Sequence, residues 1–320
     1  MEHEELSRKR TLIVKRYEPP RLIRWLLHTS VEVIKNDNNK KIRISMVVEN
    51  FRALFYYSFL LIVLFGIFLT KMFTKVDSTA ILMDVFGAPN VCAYFDFPPS
   101  TYFLPFCWIF AMLYAIIYDV ISMFRIWIAY EEGRITSRER CWLFTAHIYF
   151  IFTVMLFTMI FAVTPDRDEP YTMLVHGVPY LNLKIAMCVL QFAVVWFGTQ
   201  VAWKDIDFPR HFTEQHFSRL SWFHVILQII IMVISNICLL NALGDMGPEK
   251  LQGAGLWWDV HNNKAMTKFG DIVANKASFL LNILFPLCQS QFLSCQGFKY
   301  ISNTHAVIIS IGDNMEPATI

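Results

Sequence analysis

The chain has 320 residues, of which 55% are hydrophobic and only 17% charged, with a formal net charge of +2 and a mean hydropathy of +0.42. A soluble globule carries roughly 25% charged residues, so this composition excludes an ordinary pair of soluble domains. The near-zero charge also excludes nucleic acid as the main partner. The apolar residues are pooled in long runs rather than spread along amphipathic stripes. That pattern predicts an all-α integral membrane protein with about six transmembrane helices, an N-terminus in the cytoplasm, and the lipid bilayer as its first partner.

Residues 1–52 form a basic N-terminal segment holding twelve Lys and Arg. No apolar core follows the first charges, and Glu2 stands where a myristoylated glycine would be needed, so neither a cleavable leader nor that anchor is expected. Within 20–35, PRLIRWLLHTSVEVIK, a helical wheel gathers Leu22, Trp25, Leu26 and Val33 while Arg21, Arg24 and Lys35 point away. The spacing suggests an interfacial amphipathic helix with Trp25 at headgroup level. Lys40, Lys41 and Arg43 would add attraction to anionic lipids, about 1 kcal/mol each. The plainer alternative, and the favoured one, is ordinary positive-inside charge on a short packed helix.

A bilayer core of ~30 Å takes about 20 apolar residues per helix. Five runs meet that length plainly, at about 53–72, 103–124, 141–163, 180–203 and 219–242. A sixth, 277–296, is interrupted by Pro286 and carries Asn282, Gln289, Gln291 and Gln296, so it reads as a kinked span or a re-entrant segment. The transmembrane domain is therefore 53–296, and 297–320 is a cytoplasmic tail if the sixth run crosses. Alternating sides place twenty Lys and Arg with the N-terminus and five on the opposite loops, which sets the orientation.

Helix ends are legible between the runs. Gly133 reads as the glycine after the second helix. Thr136 and Glu139 fit a capping box opening the third. Pro209 is expected to stop the fourth or its extension, and Thr213 to cap the fifth. On the opposite side the longest loop, 243–276, contains Trp257 and Trp258, read as interfacial anchors in preference to a partner site.

The candidate chemistry is a polar layer in the cytoplasmic half: Asp119, His147, Gln200 and His224, one from each of four spans. Ionisable groups in a bilayer are costly and face the bundle or a wet cavity. Interhelical hydrogen bonding is the plainer role; a proton relay or a lipid-headgroup site is the functional one. No catalytic signature, metal-ligand array or nucleotide loop stands out, so no catalytic residue, metal or cofactor is assigned. The pattern favours a non-enzymatic accessory or scaffold subunit, with other membrane-protein subunits as partners and lipid contacts besides. A small-solute or lipid transporter built on the polar layer is the alternative, followed by a membrane-embedded lipid-modifying enzyme. Lack of sequons and of disulfide candidates favours an endomembrane such as the endoplasmic reticulum over the plasma membrane.

Overall fold

The computed structural model describes residues 13–17, 29–36, 39–74, 93–162, 172–204, 206, 208–210, 212–244, 277–299 and 306–311. Six main helices follow in chain order: α1 (Val48–Phe73), α2 (Ser100–Glu131), α3 (Ser137–Leu156), α4 (Thr172–Phe197), α5 (Glu214–Gly244) and α6 (Phe285–Lys299). One-turn helices at Ala93–Asp96 and Met159–Ala162 adjoin α2 and α3. A π-helical turn, Gly198–Ala202, ends α4, and another, Leu280–Leu284, opens α6. Among the described residues five helices are long and apolar enough to cross a membrane; the segment Leu280–Cys295 is apolar but shorter.

The helices pack as a ring in the order α1, α2, α3, α4, α5, α6, with α6 returning against α1. α4 is the most enclosed of the five long helices and α5 the least. Large apolar side chains remain exposed on each of α1, α2, α3 and α5, among them Leu61, Phe68, Phe106, Phe124, Phe152, Phe223 and Ile226. Outward-facing apolar surface on this scale is compatible with an integral membrane protein, because lipid rather than water is its natural cover.

The predicted helix ends are present in detail. Gly133 has φ +70°, with its N–H on Tyr130 O and the Arg134 N–H on Ala129 O, the paired bonds of a Schellman motif. Thr136 accepts from the Glu139 N–H at 3.2 Å while the Glu139 carboxylate accepts from the Thr136 N–H at 2.8 Å, closing the capping box. Thr213 Oγ1 accepts from the His216 N–H and so caps α5. Pro209 is not the stop for α4. The helix has already widened into its π turn at Gly198–Ala202, and Pro209 sits in a later turn that accepts from the Phe212 N–H.

Beside the helical bundle lies a four-stranded antiparallel sheet in the order β1-β2-β3-β4, formed by Ile13–Tyr17, Thr29–Asn36, Asn39–Val47 and Ala306–Ile311. It corrects two expectations. The chain is not helical throughout, and a helix over 20–35 does not exist from residue 29 onward. The alternation in TSVEVIKN and NKKIRISMV, rich in β-branched residues, has a period of two and suits a strand; the helical wheel had captured only Val33 of it. Arg21, Arg24, Trp25, Trp257 and Trp258 lie outside the described residues. Lys40, Lys41 and Arg43 fall on β3, whose register sets them opposite Lys35, Ile34 and Glu32. β4 pairs with β3, and β3 runs straight into α1. The N-terminal strands and the strand that follows α6 therefore meet at one end of the bundle.

Candidate functional site: a buried polar interior

Of the four layer residues, the structure brings two together. Asp119 on α2 and His147 on α3 are 0% and 3% exposed, with His147 Nδ1 2.5 Å from Asp119 Oδ1. A carboxylate only accepts, so the ring N–H is the donor. The second carboxylate oxygen, Oδ2, has no partner. Because α2 continues to Glu131, Asp119 lies about 18 Å from the helix end at ~1.5 Å per residue. It is deeper than its spacing from Arg125 alone implied.

His224 is buried but turned elsewhere. Its Nε2 donates to Leu281 O at 2.7 Å, and its ring stacks on Phe285 at 3.8 Å. The cause is local. In the π turn the Phe285 N–H bonds to Leu280 O, so the next donor in that pattern would belong to Pro286, which has none. Leu281 O is left without a backbone donor, and His224 supplies one. Below it, Gln228 donates to Asn282 Oδ1 and Asn282 to Ser278 Oγ, both at 2.7 Å. Of the polar residues in the sixth apolar run, Asn282 and Gln289 are thus partners for α5, through Gln228 and Ser221. Gln200, in the π turn at the end of α4, is exposed and joins none of these groups.

The centre of the interior is a network that sequence inspection passed over. Arg52 on α1 is 1% exposed. Its Nε donates to Glu49 Oε2 at 2.8 Å, and its Nη1 reaches Gln289 Oε1 on α6 at 3.1 Å and Gln191 Oε1 on α4 at 3.3 Å. Gln191 Nε2 donates to the same Gln289 oxygen at 2.9 Å, and Gln289 Nε2 donates to Ser221 Oγ on α5 at 2.9 Å. Arg125 on α2 lies 3.6 Å from Glu49 Oε1, and Ser294 on α6 donates to Asn50 on α1. Five helices are tied through one guanidinium and its neighbours. In the sequence Arg52 looks like the last member of a basic segment, and Gln191 and Gln289 like isolated blemishes in apolar runs. The only signal was that glutamines in a span need partners.

The two clusters adjoin. Arg52 lies over the Tyr118 ring at 5.8 Å, and that ring is 6.1 Å from His147. A small cavity, with room for a water molecule, is lined by Glu49, Tyr118, Ser122, Arg125 and His147 together with the end of α4. Toward the other end of the bundle lies an aromatic layer. Phe55 and Phe59 of α1, Trp108 of α2 and Phe150 and Phe157 of α3 are buried, with ring centroids 4.8–6.1 Å apart in the pairs Trp108–Phe157, Phe59–Trp108, Phe55–Phe150 and Phe59–Phe157. Among the described residues no three His, Cys, Asp or Glu side chains converge as a metal-ligand set.

The fold and site together define a helical bundle with five helices long and apolar enough to cross a membrane and a buried polar interior. Compared with known protein families, curated proteins and solved structures, the chain matches none of them.

Proposed function

We propose that this chain is an integral membrane protein of six spans, with both ends in the cytoplasm, that serves as a non-enzymatic accessory or scaffold subunit of a membrane complex. An endomembrane such as the endoplasmic reticulum is its location, and lipid covers its exposed apolar faces. The observation that carries the functional part is how the interior polar groups are used. Arg52, Glu49, Gln191, Gln289 and Ser221 are engaged with one another across α1, α4, α5 and α6. The layer beyond Asp119 and His147 is built mainly of buried Phe and Trp rings. A bundle locked in this way suits a rigid partner surface better than an alternating-access core, which works through broken helices at the midplane. Mild-detergent purification of the full chain is expected to recover a second membrane protein in fixed stoichiometry. A lone monomer that turns over a substrate would refute the proposal.

The sixth span is supported by two features. Helical residues 277–299 run antiparallel to α1, with Gln289 at Arg52 and Ser294 at Asn50. Twenty basic residues accompany the N-terminus against five on the other side. An epitope placed after Ile320 is therefore expected to be antibody-accessible from the cytoplasmic face of sealed vesicles. Accessibility only from the lumenal face would reduce the bundle to five spans.

A further inference from the structure

Four aromatic side chains from three helices gather near the end of the bundle where α3 and α5 begin. Phe192 and Trp196 lie one turn apart on α4, with ring centroids 6.1 Å apart and planes at 29°. Trp142 of α3 stands at 76° to the Trp196 ring and Trp222 of α5 at 88°, at 5.9 Å and 6.2 Å. Both also pack against Phe192, at 5.5 Å. The two α4 rings thus form a floor, with an indole standing across it from each neighbouring helix. All four side chains are half-buried, so each keeps accessible surface. The floor continues along the half-buried Val189 and Ile185 of α4, while Ile226 and Ile229 follow Trp222 on one face of α5 and are exposed. Negative charge lies at the edge of this corner. The Trp196 Nε1–H donates to Glu139 Oε1 at 3.3 Å, and Glu139 Oε2 accepts from the Thr136 N–H and hydroxyl. These bonds fix the carboxylate without neutralising it, and among the described residues it has no ion-pair partner. Arg140, next to it in the chain, is turned onto Tyr130 and Trp127 of α2, at 3.9 Å and 5.1 Å. Arg138 and Arg219 are exposed, one turn nearer the helix starts than Trp142 and Trp222.

We propose that this aromatic corner binds the quaternary ammonium headgroup of a phosphatidylcholine-type lipid, whose acyl chain lies along the α4 stripe. Ring faces attract a cation, and quaternary ammonium is the group that aromatic cages favour. It has no N–H to satisfy, so rings can replace its water; a primary ammonium would leave donors unpaired. Glu139 supplies the opposite charge. Arg138 and Arg219 stand at the rim for the lipid phosphate, so the surroundings match a zwitterion rather than a bare cation. The depth agrees. Trp142 lies about 8 Å from the start of α3 and Trp222 about 12 Å from the start of α5, at ~1.5 Å per residue, the interfacial level at which indoles sit. Anchoring alone needs only single indoles at that level; it does not require three of them from three helices beside one un-neutralised carboxylate. The site rests on the membrane reading and not on the scaffold role, so each can fail without the other.

The test uses the full chain, purified in maltoside detergent and depleted of lipid, with its unfolding midpoint followed as dioctanoyl-phosphatidylcholine is added. A ligand that binds only the folded state raises the midpoint saturably. Dioctanoyl-phosphatidylethanolamine has the same chains and phosphate and lacks only the three N-methyl groups. The choline lipid is expected to bind about tenfold more tightly, the worth of two modest cation–π contacts, and choline chloride alone to leave the midpoint unchanged. Glu139→Gln keeps the helix cap, since glutamine serves at that position of a capping box, and is expected to lose most of the preference. Trp222→Leu is expected to lose it as well, and Trp222→Phe to retain part. Equal response to the two lipids, or response to neither, would overturn the site and leave the groove to bulk lipid or a partner's helix. A response to choline chloride as large as that to the lipid would overturn the lipid as occupant. An undiminished preference in both Glu139→Gln and Trp222→Leu would place the headgroup elsewhere.

Discussion

Arg52→Met is expected to destabilise the folded bundle by about 3–5 kcal/mol, the usual cost of breaking a buried ion pair by removing one partner. The methionine fills most of the arginine's volume, so little of the loss comes from a void. It comes from three groups that lose their donor. Glu49 keeps only Arg125, at 3.6 Å and with poorer geometry than the 2.8 Å bond to Arg52. Gln191 loses its contact, and Gln289 keeps only the Gln191 amide on its oxygen. Residual neutralisation by Arg125 places the expected value toward the lower end of the range. The paired change Glu49→Gln with Arg52→Met should recover part of the loss, because a neutral amide is far cheaper to bury than an unpaired carboxylate. Denaturant-induced unfolding in mixed micelles, followed for the single and double variants, gives the comparison. A single variant as stable as the original would show that the network is ornamental.

A second large effect is expected at Gly198, with the opposite sign to intuition. Replacing a helical glycine by alanine ordinarily stabilises by roughly 0.5–1 kcal/mol. Here a Cβ would lie 2.2 Å from Trp203 Cε2 and 2.6 Å from Cζ2. Trp203 is 2% exposed and its ring packs edge-on against Phe217 at 4.7 Å, so it is held on that side. Its own N–H donates to Gly198 O at 2.8 Å, closing the π turn. Gly198→Ala must therefore shift backbone as well as ring, and overpacking of this kind costs about 1–3 kcal/mol. Adding Trp203→Leu to Gly198→Ala should relieve the clash, giving a double variant that is less destabilised than the two single losses predict. The same unfolding measurement on the three variants decides it, and a stabilising Gly198→Ala would sink the claim. Gly66, by contrast, meets Phe95 at 2.9 Å and Leu104 at 3.0 Å, a milder overlap.

The lengths of the apolar runs, the charge asymmetry and the helix ends could all be read from residues alone. Each rests on local physics: a run long enough for the bilayer, a glycine free to take φ +70° at 133, a Thr and a Glu three residues apart at 136 and 139. Asp119 and His147 were legible as an interior pair because ionisable residues in apolar runs are rare and each needs a partner. Asp119 lies deeper than its spacing from Arg125 alone gives, because the apolar stretch Ile126–Ala129 continues α2 to Glu131.

What remained hidden depended on contacts between distant parts of the chain. Arg52 and Gln289 are 237 positions apart, and Ser294 and Asn50 are 244 apart; no spacing rule reaches that far. His224 was placed with the layer by depth, yet its partner is set by an orphan carbonyl that Pro286 creates on another helix. Gln200 lies at a similar depth but is exposed, in the π turn that ends α4. Of the sheet, only β4 depends on a partner from the far end of the chain; the β2–β3 hairpin is local, and its period of two is legible in the residues. By itself, then, the sequence determined the class of molecule, the apolar helices and their caps, all of which follow from neighbours within a few turns. The tertiary structure alone decided which polar groups meet, because the partner of a buried donor is chosen by how whole helices are turned and packed.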